Sequence, residues 1–335
     1  MPIRTEGTLN KFFSQKAVAD VVTALPKPAT PWTDMLLPQA KRTQKASPFV
    51  TTEEVTEVTG AIPLILRGAS SYPVDNKKET RKLIEVDPLS PSVFVSARDI
   101  NDLIALGSTQ SVQAFVNEKI EYLRNRVSQS IEVMTKQAFS EGKIHYPMWG
   151  DNGIEGYADI TLGETKKITG TSIKGFDIAK LQNWLADLWQ KHADNTGATG
   201  DVVAMMGNAV YNEVIKIMVA AGSNAQIVYN SNGLPGATLF GFYRIMGTGA
   251  TYTLPDNKGA KKVLADNTVR VVDLSNAGKL IYAALDDIDA NLAPLPFYAK
   301  PIYKKDPDGV KIVGQSKPIT ALAMGNMSEQ AVATA

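Results

Sequence analysis

The sequence contains no cysteine. Disulfides, Cys-ligated zinc, iron–sulfur clusters and thiol nucleophiles are excluded together. Stability must come from non-covalent burial or from another kind of cross-link. Histidine is scarce as well, present only as His145 and His192. The two are far apart in sequence, and neither has a second histidine at metal-ligand spacing. No Gly-x-Ser-x-Gly elbow and no Gly-x-x-x-x-Gly-Lys phosphate loop occurs. Gly247-Thr248-Gly249 lacks the third glycine of a dinucleotide fingerprint. Asp287-Ile288-Asp289-Ala290-Asn291 resembles the first half of a calcium loop. Leu292 stands where that loop needs glycine, and Tyr298 where it needs a bidentate glutamate. Asp286, Asp287 and Asp289 therefore read as an exposed acidic turn. No catalytic residue, metal ligand or cofactor is expected.

Charge of one sign is also lacking. The formal net charge is +1, so nothing draws the whole chain to nucleic acid or to an acidic membrane. Lysines and arginines are scattered, with no basic groove interleaved with aromatics. No run approaches the ~18 apolar residues of a membrane span. The N-terminal stretch has no apolar leader segment, and Pro2 stands where myristoylation needs glycine. The expectation is a protein made and first folded in the cytoplasm, without a membrane partner.

What is present is an ordinary globular composition, 44% hydrophobic and 21% charged over 335 residues. That length holds one large domain or two to three smaller ones. One stretch dominates. From Ser111 to Glu141, Val112, Phe115, Val116, Ile120, Leu123, Val127, Ile131, Met134, Ala138 and Phe139 recur in steps of three and four. No proline or glycine interrupts them. The pattern predicts one long amphipathic helix of roughly 45 Å, stopped by Gly142. Glu121 with Arg124 and Glu132 with Lys136 are candidate ion pairs on its polar face.

The rest of the chain falls around this spine. Residues 1–45 read as an arm, with one short helix over Lys11–Val22 and then Pro26, Pro28, Pro31 and Pro38. Trp32 is a large apolar anchor there, suited either to another subunit's surface or to its own domain. Residues 46–88 read as a β-hairpin with a polar, charged tip. Arg67, Lys77, Lys78, Arg81 and Lys82 are its candidate contact residues, against the alternative of a solvated face. Residues 143–170 look Gly- and Thr-rich with short strand-like pieces. Helices are predicted over 176–191 and 208–218, a strand over 202–206, and strands over 238–245, 269–274 and 280–285. A turn at 306–309 joins two closing strands. A further strand is predicted over 319–324, and 328–335 is a tail of mostly small residues. The class is α+β.

The order of these features resembles the lambda-like phage major capsid protein E family, which has the Hong Kong 97-type capsid fold. The likeness rests on Thr51–Gly68 as an extended-loop strand and on Pro88–Ile100 leading into the spine. It rests also on a closing run through 266–268, 297–303, 309–313 and 315–318. No residue of 143–260 can be matched, and no covalent cross-link can be placed. The resemblance implies a major capsid protein of a tailed bacteriophage, assembling into the icosahedral shell around a double-stranded DNA genome. It implies an arm at 1–45, an extended loop at 46–88, a peripheral domain at 89–174 and 309–335, and an axial domain at 175–308. Its partners would be itself as hexamers and pentamers, with portal, scaffolding and decoration proteins, and packaged DNA contacted without sequence preference. A tail or tube component is the alternative. An enzyme of unknown class is a further one, opposed by the absence of a recognisable site.

Overall fold

The computed structural model describes residues 13–51, 83–106, 109–197, 200–222, 226–229 and 235–334. In chain order the helices and strands begin with α1 (Gln15–Ala24), α2 (Pro31–Leu36), β1 (Arg42–Lys45), β2 (Phe49–Thr51), β3 (Leu83–Glu85) and β4 (Ser92–Ser96). Then come α3 (Ala97–Leu106), α4 (Thr109–Glu141), β5 (Lys143–Gly150), β6 (Gly153–Thr161), β7 (Lys166–Ser172), α5 (Ile178–Thr196), β8 (Val202–Gly207) and α6 (Asn208–Ala220). Strands β9 (Gln226–Tyr229), β10 (Pro235–Leu239), β11 (Tyr243–Thr248), β12 (Thr251–Tyr252), β13 (Lys261–Lys262), β14 (Thr268–Asp273) and β15 (Gly278–Ala283) follow. The last four are β16 (Tyr298–Lys305), β17 (Asp308–Gln315), β18 (Pro318–Leu322) and β19 (Met327–Ala333).

The chain divides into two compact units. The first takes its described residues from the segment ending at Pro48, from Val86–Lys136 and from Leu280–Thr320. Its core forms where the apolar stripe of α4 meets a sheet of order β16-β17-β4. Val116, Ile120 and Leu123 lie on Val95, Ala299, Val310 and Ile312, and Phe13, Val18 and Val21 of the arm close the same cluster. The three strands pair antiparallel, with Val310 opposite Val95 and Tyr303. The arm continues into β1, which runs parallel to β15 with Arg42 opposite Leu280 and Lys45 opposite Ala283.

α4 is 33 residues long, about 50 Å at 1.5 Å rise per residue. It begins two residues earlier than its periodicity predicts and stops at the same place. Gly142 ends it with a left-handed φ of 67° while its N–H still bonds Ala138 O at 3.0 Å.

The second unit comprises the described parts of Phe49–Glu85, Gln137–Lys279 and Ala321–Ala335. Its centre is a seven-stranded mixed sheet, ordered β7-β19-β14-β8-β11-β10-β9. α5 and α6 cover it through Leu181, Trp184, Leu185, Leu188, Val210 and Val214, packed with Ala204, Met206, Val269 and Val271. Asp177 caps α5, accepting from Lys180 N at 2.8 Å, and Gly197 closes the helix in the left-handed region. A separate ribbon, β5–β6, pairs from Lys143–Thr161 to Gly150–Gly153. β2 and β3 pair antiparallel at the base of the expected 46–88 hairpin, with Phe49 opposite Glu85. The remainder of that hairpin lies outside the described residues.

Three expectations are corrected. Residues 143–161 form a full hairpin, because Ile144 and Tyr146 alternate with exposed or half-buried neighbours. Residues 238–245 are not one strand: Phe240 and Gly241, both at positive φ, turn the chain between β10 and β11. The small-residue tail is β19, inserted between β14 and β7. Ala321–Ala335 therefore belongs to the seven-stranded unit, as does 137–174, both expected with the spine, while 280–308, expected in the axial domain, falls in the unit whose spine sheet is β16, β17 and β4.

Candidate assembly surface

Pro31 opens α2, and the first N–H groups of a helix have no partners within it. Glu132 of α4 supplies them. Its carboxylate accepts from Trp32 N and Thr33 N, both at 2.9 Å, and from Thr33 Oγ1 at 2.8 Å. Thr33 Oγ1 also lies 3.1 Å from Thr135 Oγ1. Glu132 is only 8% exposed, so the clasp sits out of water, where charge-assisted bonds are strongest. Four positions before Ser128, Arg124 donates to Leu25 O at 3.0 Å and Val22 O at 3.3 Å. The arm thus covers a helix face that the sequence assigns to solvent. Arg124 is committed to carbonyls. Lys136 keeps a 3.8 Å contact with Glu132, whose main partners are the arm's donors.

Below the clasp, Asp34 takes Lys27 at 2.7 Å and Arg42 at 2.5 Å. Burial pushes the Asp34 carboxyl up, but the bonds and charges of Lys27 and Arg42 outweigh it and hold the group below its usual range. A groove of about 310 Å³ lies beside these cations, floored by Val127, Ile131 and Phe297.

Of the residues singled out for intersubunit contact, Trp32 is 2% exposed and is taken up by its own chain. The isolated subunit does not offer it to a neighbour; its hydrophobic surface is satisfied beside the Glu132 clasp. Arg67, Lys77, Lys78, Arg81 and Lys82 lie outside the described residues. The clasp itself carries no sequence motif. Glu132 and Thr135 stand one turn apart beside Ile131 and Met134, at the border of the apolar stripe, a placement equally suited to solvent.

The acidic turn is partly buried. Asp287 holds Lys300 Nζ at 2.7 Å, Asp289 holds it at 3.1 Å, and Gln15 Nε2 donates to Asp289 O at 2.8 Å. Lys300 is held above its usual range by the Asp287 bond first and the Asp289 bond next. Among the described residues no group of three or more His, Asp or Glu is placed to hold a metal ion, and no helix is long and apolar enough to cross a membrane. The turn instead presents Ile288, 87% exposed. Trp149 of β5, 81% exposed, is another large apolar group left in water, as are Leu83, Val219 and Phe242.

His192 is fully buried in α5. Nδ1 lies 3.0 Å from Ser328 Oγ of β19, and Nε2 has no hydrogen-bond partner. Burial lowers its pKa below the ordinary 6.5, and the charge of Asp273 offsets only part of that. The folded chain therefore resists a proton that the unfolded chain accepts. Its contribution to stability is complete above about pH 6.5 and shrinks as pH falls through that value toward the depressed one. Chemical denaturation at pH 7.5 and 5.5 should show a loss at pH 5.5 that His192→Gln reduces. An equal loss in both proteins would remove His192 as the cause.

A family model described as phage major capsid protein E matches residues 14–327. No curated protein matches the sequence. Among solved structures, a protein described as a prophage capsid protein of E. coli CFT073 is similar at 15% identity and a TM-score of 0.60, covering 96% of this chain and 99% of its own. The capsid of Cyanophage A-1(L) aligns at 12% identity and a TM-score of 0.48, over 93% of this chain and 95% of its own.

Proposed function

The chain belongs to the phage major capsid protein E family, with a Hong Kong 97-type α+β fold and a place in the virion shell, and on that premise we propose how its parts serve the shell. Copies form hexamers and pentamers of an icosahedral head that encloses double-stranded DNA. The unit built on α4 is the peripheral domain, and the unit built on the seven-stranded sheet is the axial domain. The hairpin rising from β2 and β3 lies over a neighbouring subunit, with Arg67, Lys77, Lys78, Arg81 and Lys82 at its contact. Assembly takes place in the host cytoplasm with portal, scaffolding and decoration proteins. The chain acts without catalysis.

The observation that carries this assignment is the family match over 14–327, joined to a fold whose arm is locked onto its spine by the Glu132 clasp. A subunit with so firmly seated an arm can offer its remaining extended elements to neighbours. Deleting Arg67–Arg81 should leave a subunit that folds and melts cooperatively but forms no stable shells. Negative-stain microscopy of the protein expressed with its phage head proteins reads this directly. Normal shells from the deletion would refute the role given to the hairpin.

A further inference from the structure

Trp149 stands opposite Ile154 near the turn of the β5–β6 ribbon. A two-stranded ribbon gains little from its own burial, so an indole left in water there is unsatisfied. The tip is nonetheless fixed. Asn152 N donates to Glu155 Oε1 at 3.1 Å, and a Cβ on Gly150 would stand 1.9 Å from Glu155 Oε2. The Glu155 carboxylate is folded against the turn, over Gly150. Between Met148 and Glu155 the charged residues are Asp151 and Glu155, both acidic.

The groove beside the arm has the opposite character. Its floor is apolar, and its rim carries Lys27, Arg42 and Arg124. Lys27 and Arg42 share the single carboxylate of Asp34, while Arg124 is held by neutral carbonyls. The rim therefore holds more positive charge than these partners cancel. Its volume, about 310 Å³, falls in the range of roughly 300–1,000 Å³ that takes a ligand-sized group.

We propose that the Met148–Glu155 tip of one copy docks in the arm–spine groove of a second copy. Trp149 enters over the apolar floor, and Asp151 and Glu155 face Lys27, Arg42 and Arg124. Aromatic anchors in a pocket ringed by cations are the usual centres of binding energy. Sign complementarity selects the tip over the charged run 75–82, where Lys77, Lys78, Arg81 and Lys82 outnumber Asp75 and Glu79, and over the acidic turn at 286–289, where Asp287 and Asp289 are already paired with Lys300. Tip and groove are different surfaces, so the contact is head-to-tail and propagates from copy to copy, as a ring or shell requires. The proposal rests on the shell function given above.

The absence of cysteine makes the test clean. Copies carrying Asp151→Cys are co-expressed with tagged copies carrying Lys27→Cys, together with the phage's other head proteins. A disulfide joining a tagged to an untagged chain can then link only those two positions. Mixed dimers should appear in assembled particles and not in free subunits. Trp149→Ala should stay folded, because the side chain is exposed, but should lower particle yield at least tenfold, with Trp149→Phe largely restoring it. Particles without mixed dimers, or a normal yield from Trp149→Ala, overturn the docking and leave the shell function standing. Failure of the unaltered chain to form particles at all overturns both.

Discussion

Ile120→Pro is expected to yield no cooperatively folded subunit. Ile120 is fully buried in mid-α4, within the cluster that joins the helix to β4, β16 and β17. Proline there removes the bond to the carbonyl of Val116 and drives its ring into the preceding turn, a cost of about 3 kcal/mol or more. Loss of the isoleucine side chain adds a cavity of the kind that costs roughly 2–5 kcal/mol. Together these reach the scale of a whole domain's stability, about 5–15 kcal/mol. Ile120→Val, which keeps the helix, should cost only about 0.5–1.5 kcal/mol. Circular dichroism melts of both variants check this. A sharp transition in the proline variant would count against the central place given to α4.

The second large effect is expected at Glu132. Glu132→Ala leaves Trp32 N, Thr33 N and Thr33 Oγ1 buried without the acceptor they share. Bonds to a charged acceptor contribute about 1.5–3 kcal/mol, and a buried donor left unmatched costs about 1–3 kcal/mol. A loss near 3 kcal/mol in urea unfolding is the expected outcome. Glu132→Gln should be little better, because its amide presents a donor where one of the carboxylate oxygens accepted. The arm should respond first, so limited proteolysis should cut near α1 and α2 sooner than in the unaltered chain. Unchanged cleavage and an unchanged midpoint would mean that apolar packing alone seats the arm.

The contrast between these two positions shows what a sequence can and cannot display. Ile120 announces itself, because an apolar stripe at helical spacing is a local property of the chain. The same holds for α5 and α6, whose buried faces repeat every three or four residues. Glu132 is silent, because its partners lie about a hundred residues earlier and no local pattern distinguishes a buried carboxylate from a solvated one. Trp32 carried a real signal, a large apolar group among prolines, but the sequence left open whose surface receives it. β19 was missed for a related reason. Met327–Ala333 is built largely from small and polar residues, and its place in the sheet comes from backbone bonds to β7 and β14 and from the Gln330 and Ser328 side chains. The ribbon tip was missed because Trp149 interrupts a Gly-rich stretch whose pairing emerges only in three dimensions.

The placement of β19 also bears on the timing of synthesis. Among the described residues β7 joins the seven-stranded sheet only through β19, which lies more than fifty residues beyond β14 in chain order. A ribosome that has finished β14 has therefore made β7 without the strand that joins it to the rest of the sheet. Neighbouring nascent chains on one messenger, held close together, cannot yet present the finished unit to each other. Translation must run past Ala333 before that edge of the sheet closes, so a growing shell is spared the capture of chains that still lack β19.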